Sequence, residues 1–224
     1  MDRARRAGEV SATRGRGGRS LDSSRDVVLR EAALALLAEV GYDRLTMDAV
    51  AARARAAKTT IYRRWPGKAE LVVDALTSLK GAPEIPDTGS LRQDLRVLAE
   101  SITSPESQFG AQVTIGMVSA LARDAGLRRV FGEKFIAPRM AGFRTVFERA
   151  VDRGEMPAGH DLDLLARLFP ALGLQQLVMS GELLGARFAR QIMDEVVYPL
   201  ATAPAARTSD SSAPDAAAGG KPHG

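Results

Sequence analysis

The densest set of chemically capable side chains in this sequence lies between Thr46 and Lys68, and its types suit recognition of a polyanion. Ile61 and Trp65 are four residues apart and share one face of a short helix. Lys58, Thr59, Tyr62 and Arg63 fall around the other side. In a DNA major groove the hydroxyl and methyl groups of Thr59 and Thr60 suit base edges, and Lys58 suits the acceptors of guanine. Tyr62, Arg63, Arg64 and Lys68 suit phosphates, which fix register without reading sequence. The Thr46 hydroxyl, with the amides opening the helix behind it, suits one more phosphate. Taken alone, the same pattern also fits a helical domain with a solvated basic face.

Other chemistries find few candidates. The chain has no cysteine, which excludes disulfides, thiolate metal sites and cysteine nucleophiles. Its two histidines are His160, beside Asp161 at an expected helix start, and His223 near the end of the sequence. A His-Asp neighbour pair in that position reads as capping and surface rather than catalysis. There is no phosphate loop, metal-ligand cluster or nucleophile elbow. The expectation is a non-enzyme with no cofactor and no metal.

Charge is distributed unevenly. Residues 1–68 carry 15 Lys/Arg against 8 Asp/Glu, whereas the remaining residues carry 16 against 19. A basic N-terminal third favours a nucleic-acid partner, because each neutralised phosphate releases condensed counterions. A membrane surface or RNA remains open on charge alone. No apolar run reaches the roughly 20 residues that span a bilayer, and the Arg-rich start lacks the apolar stretch of a signal peptide. No membrane association and a cytoplasmic location are expected.

The elements that must position these side chains all read as helix, so the expected fold class is all-α. Residues 1–23, rich in Arg, Gly and Ser, read as a disordered basic arm. Leu29, Ala33, Leu36 and Val40 give the first helix its apolar face, with Gly41 at its stop. Thr46 is the expected N-cap of the second helix, flanked by Leu45 and Val50 at hydrophobic-staple spacing. The third helix runs from about Lys58 to Trp65 and is stopped by Pro66; the fourth runs from about Lys68 to Lys80. Three short helices with a tight turn before the last form a helix-turn-helix, placing a DNA-binding domain at 24–80.

The Gly/Pro-rich stretch 81–89 marks a boundary. A second helical domain is expected at 90–200 and a disordered tail at 201–224. Ser90-Leu91-Arg92-Gln93 reads as a capping box opening the fifth helix. A sixth ends near Arg123, a seventh spans about 126–153 with a kink at Pro138, an eighth about 161–180 with Pro170 inside, and a ninth about 185–200.

The stretch Leu45-Thr46-Met47-Asp48-Ala49-Val50-Ala51-Ala52-Arg53-Ala54, continued by Lys58-Thr59-Thr60-Ile61-Tyr62-Arg63-Arg64-Trp65-Pro66-Gly67-Lys68-Ala69-Glu70-Leu71, strongly resembles the DNA-binding domain of TetR/AcrR-family regulators. The resemblance implies a Thr that opens the second helix, a Lys-x-Thr-Ile-Tyr recognition helix, and a Lys-x-x-Leu start to the fourth. It assigns Thr46, Tyr62 and Lys68 to phosphates, and Lys58, Thr59, Thr60 and Arg63 to the major groove. Two departures stand out. Arg55-Ala56-Ala57 replaces the family's Gly-Val-Ser, which removes a side-chain cap and the turn glycine, and Arg55 offers a phosphate contact instead. Arg64 stands where the family often has His or Tyr.

The resemblance further implies a homodimer on a pseudo-palindromic double-stranded operator, acting as a repressor released by a small-molecule effector. Residues 90–200 supply apolar side chains for an effector site, namely Phe109, Met117, Met140, Phe143, Phe147 and Met179, joined by the polar Gln175. From the composition itself, ordinary core is the better reading for most of them, since pocket walls and core share a composition. Leu174, Leu177, Val178, Phe188, Ile192 and Val196 supply an apolar seam for the implied dimer, although a core role fits any single one of them as well. The alternative from another class is a non-specific architectural nucleic-acid-binding protein working through the Arg-rich arm.

Overall fold

The computed structural model describes residues 17–104, 113 and 116–205, and side chains from residue 24 onward. Among the described residues all regular structure is helical, as the periodicities require. Helix α1 is Gly17–Arg44, α2 is Met47–Arg53, α3 is Lys58–Arg64, α4 is Lys68–Lys80 and α5 is Leu91–Ile102. Helix α6 is 116–123. Helix α7 covers 125–152 in three pieces: Ala125–Phe131, a π-helical turn Gly132–Ile136, and Ala137–Asp152. Helix α8 is Leu162–Ser180. Helix α9 covers 186–202 and contains a second π-helical turn, Ile192–Val197.

Local signals account for most of these limits. Gly41 adopts φ 75° and interrupts α1 where the apolar periodicity stops. The Thr46 side chain caps α2 by accepting from the Ala49 N–H at 3.1 Å. Leu45 and Val50, the staple pair, are both buried in the same core. Asp161 caps α8 by accepting from the Leu164 N–H at 3.0 Å. The neighbouring His160 ring donates to the Ala203 carbonyl at 2.8 Å, so this pair is structural, as its position suggests.

Several expectations are corrected. Helix α1 starts at Gly17, inside the stretch 1–23 expected to be a disordered arm; residues 1–16 lie outside the described residues. The tail residues 206–224 also lie outside them. Ser90 sits at the N-cap of α5 without a side-chain bond, so no capping box forms. The Glu155 carboxylate accepts the Leu91 N–H at 2.7 Å instead, and the fully buried Asp94 accepts both the N–H and the hydroxyl of Thr88 at 2.7 Å. Pro138 follows a π-turn, where a proline's missing donor is tolerated. By length and composition alone the 19-residue α8 could cross a membrane, but Asp163 and Arg167 interrupt it, so it is not the uninterrupted apolar run that the sequence lacks; 17% of its apolar window is buried in the protomer.

Two apolar cores result. The first joins α1 to α4 with Val113, Met117, Ala120, Leu127, Val130, Phe131 and Phe135. The second joins α5, the later part of α7, α8 and α9 around Phe143, Phe147 and Phe169. The first core therefore runs past the Gly/Pro-rich boundary and ties α4 to the start of α7.

Candidate nucleic-acid interface

Helix α3 is held by its apolar edge. Ile61 is fully buried and Trp65 is 5% exposed, while Tyr62, at 51%, projects into solvent beside the exposed Thr59 and Arg63. Thr60 is half-buried. Of the side chains expected to meet bases, Lys58, Thr59 and Arg63 are thus exposed and Thr60 is partly covered, and the two expected anchors lie beneath them.

Trp65 is also fixed by its polar end. Its indole N–H donates to Asp74 Oδ2 on α4 at 2.9 Å, and Arg30 Nε on α1 donates to the same oxygen at 2.8 Å. The Arg30 guanidinium stands 5.9 Å from the Trp65 ring centroid. One carboxylate thereby joins α1, α4 and the end of α3. Arg64 makes a 2.7 Å ion pair with the buried Asp26 on α1. These groups, with Pro66, Glu70 and Lys134 of the π-turn in α7, line a polar cleft of about 310 Å³. Arg64, expected on a phosphate, is engaged with α1 in this state.

Lys58 is paired as well. Its ammonium lies 2.6 Å from Asp48 Oδ2 on α2, and this hydrogen bond raises its pKa. Both side chains are more than half exposed, so solvent screens the pair. Lys68 donates to the Tyr42 carbonyl at 2.9 Å and stands 4.2 Å from the Tyr42 ring centroid. Burial, reinforced by the Asp124 carboxylate 3.5 Å from its hydroxyl, raises the Tyr42 phenol well above its ordinary pKa.

The turn before α3 has a definite geometry. Ala56 N–H donates to Ala51 O at 2.9 Å, and Arg55 N–H donates to Ala52 O at 3.1 Å, the paired bonds of a Schellman motif. Arg55 occupies the left-handed position, at φ 49°, and among the described residues no other non-glycine has a positive φ. Ala57 caps α3 without a side-chain bond. Arg55, like Lys58 and Thr59, is exposed.

Thr46, Arg55, Lys58, Thr59, Thr60, Tyr62, Arg63, Arg64 and Lys68 therefore gather on or beside α2 and α3, with Arg64 turned toward α1. Sequence reading missed Tyr42, Asp48 and Asp74. The aromatic just after the Gly41 break could have flagged Tyr42, but nothing local marks Asp74, whose partners lie 9 and 44 residues away.

The residues expected to line an effector site are not brought together as one set, although Met140, Phe143 and Phe147 share the second core. Met117 is fully buried in the first core, Phe143 and Phe147 are buried in the second, and Met140 packs against the second. Gln175 is exposed and Met179 is 72% exposed, both on α8, so the Gln175 amide needs no buried partner. Phe109 lies outside the described residues. Of the expected seam, Leu174 and Val178 are about half exposed, Leu177, Phe188 and Val196 are partly buried, and Ile192 is buried in the second core.

Comparison with known proteins agrees with this architecture. Residues 29–75 match the family model for bacterial regulatory proteins of the tetR family, and residues 85–196 match the tetracyclin repressor-like C-terminal domain. The chain is 36% identical to an HTH-type transcriptional regulator of Mycobacterium tuberculosis, over 80% of this chain and 89% of that protein. It is 34% identical to the DNA-binding transcriptional repressor TetR of Mycobacteroides abscessus, over 79% of this chain and 94% of the relative. In fold it is similar to a TetR-family transcriptional regulator from Rhodococcus sp., with a TM-score of 0.65, 18% identity, and coverage of 81% and 100% of the two chains.

Proposed function

The chain belongs to the TetR family, and on that premise we propose that it is a dimeric repressor released from its operator by a small molecule. It is a DNA-binding transcriptional regulator of the helix-turn-helix type. The observation that carries the finer reading is the division of α3, with Ile61 and Trp65 buried and Thr59, Tyr62 and Arg63 facing out. A helix so mounted enters a major groove with its N-terminal residues, Lys58 and Thr59, at base edges. Lys68, Tyr62, Thr46 and Arg55 stand around it for phosphates.

Dimerisation is supported by the apolar face of α8. Leu164, Leu174, Val178 and Met179 are between 47% and 72% exposed in the protomer. Such a face on a long helix is covered by a second copy in a soluble regulator, which also accounts for its membrane-like composition. The effector reading places an apolar ligand against the second core, which contains Phe143 and Phe147 and against which Met140 packs. A DNA-bound regulator works in the cytoplasm.

The test is a mobility shift of the full chain on duplex DNA from upstream of its own coding region, paired with sedimentation and a run-off transcription assay. The reading predicts a two-copy complex, competed by the same duplex and not by scrambled DNA, and a fall in transcript. Equal competition by scrambled DNA would instead favour an architectural protein.

A further inference from the structure

Lys80 and Arg139 meet at the junction of the two cores, and among the described residues neither has a carboxylate partner. Lys80 is the last residue of α4, and Arg139 lies just beyond the π-turn of α7. Both stand over the Phe135 ring, the Arg139 guanidinium 3.8 Å and the Lys80 ammonium 5.8 Å from its centroid. Phe131 stacks on Phe135 at 4.9 Å and 17°, covering one ring face. Both cations thus stand at one ring, on which Phe131 also stacks.

Their existing bonds leave capacity unspent. Arg139 donates to the Phe135 carbonyl at 2.8 Å and to the Gly81 carbonyl at 3.3 Å, using two of its five N–H groups. Lys80 has no hydrogen-bond partner among the described residues. Burial, with the Arg139 charge behind it, pushes the Lys80 ammonium down to about 8, and burial also lowers Arg139. The ring quadrupole and the carbonyl end of α4 offset part of this positive charge. Among the described residues two half-buried like charges still lack a counter-ion, and both remain reachable from solvent.

We propose that Lys80 and Arg139 form a binding site for a small organic carboxylate, gripped between the Lys80 ammonium and the unspent N–H groups of Arg139. A monoanion fits the site because α4 already offsets part of the remaining charge. The occupant ties the last residue of α4 to α7 beyond its π-turn. Because α4 carries Asp74, and Asp74 holds Trp65, occupancy bears on the pose of α3. This last step rests on the effector reading above; the binding site does not.

The experiment titrates the full-length protein with sodium benzoate, ionic strength being held constant with sodium chloride, and reads thermal unfolding and calorimetric binding. The proposal expects a saturable rise in Tm and a Kd at least 10-fold weaker in both Lys80→Met and Arg139→Met. Lys80→Met keeps the fold, since it exchanges an uncompensated cation for an apolar chain of similar length. A non-saturating rise equal to that in chloride, or unchanged affinity in the Lys80→Met protein, overturns the site. Operator affinity is read separately: saturable benzoate binding without any change in it upholds the site and counts only against the effector reading.

Discussion

The Trp65 indole N–H rests on Asp74 Oδ2 at 2.9 Å, and through that oxygen the C-terminal end of α3 is fastened to the middle of α4. The same oxygen accepts from Arg30 of α1, so three helices converge on one carboxylate. Helix α4 in turn packs against the start of α7 and its π-turn. Helix α4 thus stands between the recognition helix and the start of α7.

Replacing Asp74 with Leu strands the Trp65 donor and the Arg30 guanidinium. The expected loss is about 1–2 kcal/mol, at the lower part of the range for a charged hydrogen bond because the Asp74 side chain is 36% exposed. Urea denaturation measures it. Sequence-specific DNA binding should fall by more than non-specific binding, since the helix survives but its pose loosens. Asp74→Asn, which keeps an acceptor, should restore most of both.

Arg55→Gly should stabilise the protein by about 1 kcal/mol, because glycine takes a positive φ without the Cβ penalty. It should also weaken DNA binding and reduce the magnitude of the log–log salt slope by about 0.9, the share of one phosphate contact. Denaturation and a salt series of binding isotherms test the two halves. A more stable protein with an unchanged slope removes Arg55 from the phosphate set.

Asp48→Asn releases Lys58 from its 2.6 Å ion pair and removes a negative charge from the face presented to DNA. Affinity for any duplex should rise several-fold at low salt, and the gain should shrink as ionic strength rises. Fluorescence anisotropy across a salt series is the measurement.

Stability should depend on pH through Lys80. Its folded-state pKa, about 8, lies below the ordinary 10.5, so the unfolded chain holds more protons between those values. The contribution of Lys80 is unfavourable below pH 8 and is relieved as pH rises toward 10.5. Lys80→Met should accordingly be the more stable protein at pH 7, by on the order of 2 kcal/mol, and the gap should close by pH 10.5. A gap that is constant across the range contradicts the assigned cause.

Much of this was legible in the sequence because it is local. Gly41, the Thr46 cap and the Ile61–Trp65 edge act over at most four residues, and periodicity or capping chemistry is enough to place them. What escaped depends on distant partners. Asp74 looks like any surface acid on a helix until α1 and Trp65 close on it, and α5 is capped by Glu155 from 64 residues away rather than by its own Ser90 and Gln93. The apolar residues of 90–200 were harder still, because core, dimer face and ligand wall share one composition. Met117, Phe147 and Met179 read alike, and they lie in the first core, the second core and the solvent-exposed face of α8 respectively.

The central claim is that α3 reads DNA sequence from a two-fold dimer. Selection of the full-length protein on a randomised duplex library tests it without knowledge of the operator. The account predicts enrichment of a pseudo-palindrome whose half-sites lie about one or more helical turns (roughly 10 base pairs each) apart, with the preferred bases shifting in Thr59→Ala. No enriched sequence, or an asymmetric one indifferent to Thr59, would contradict it.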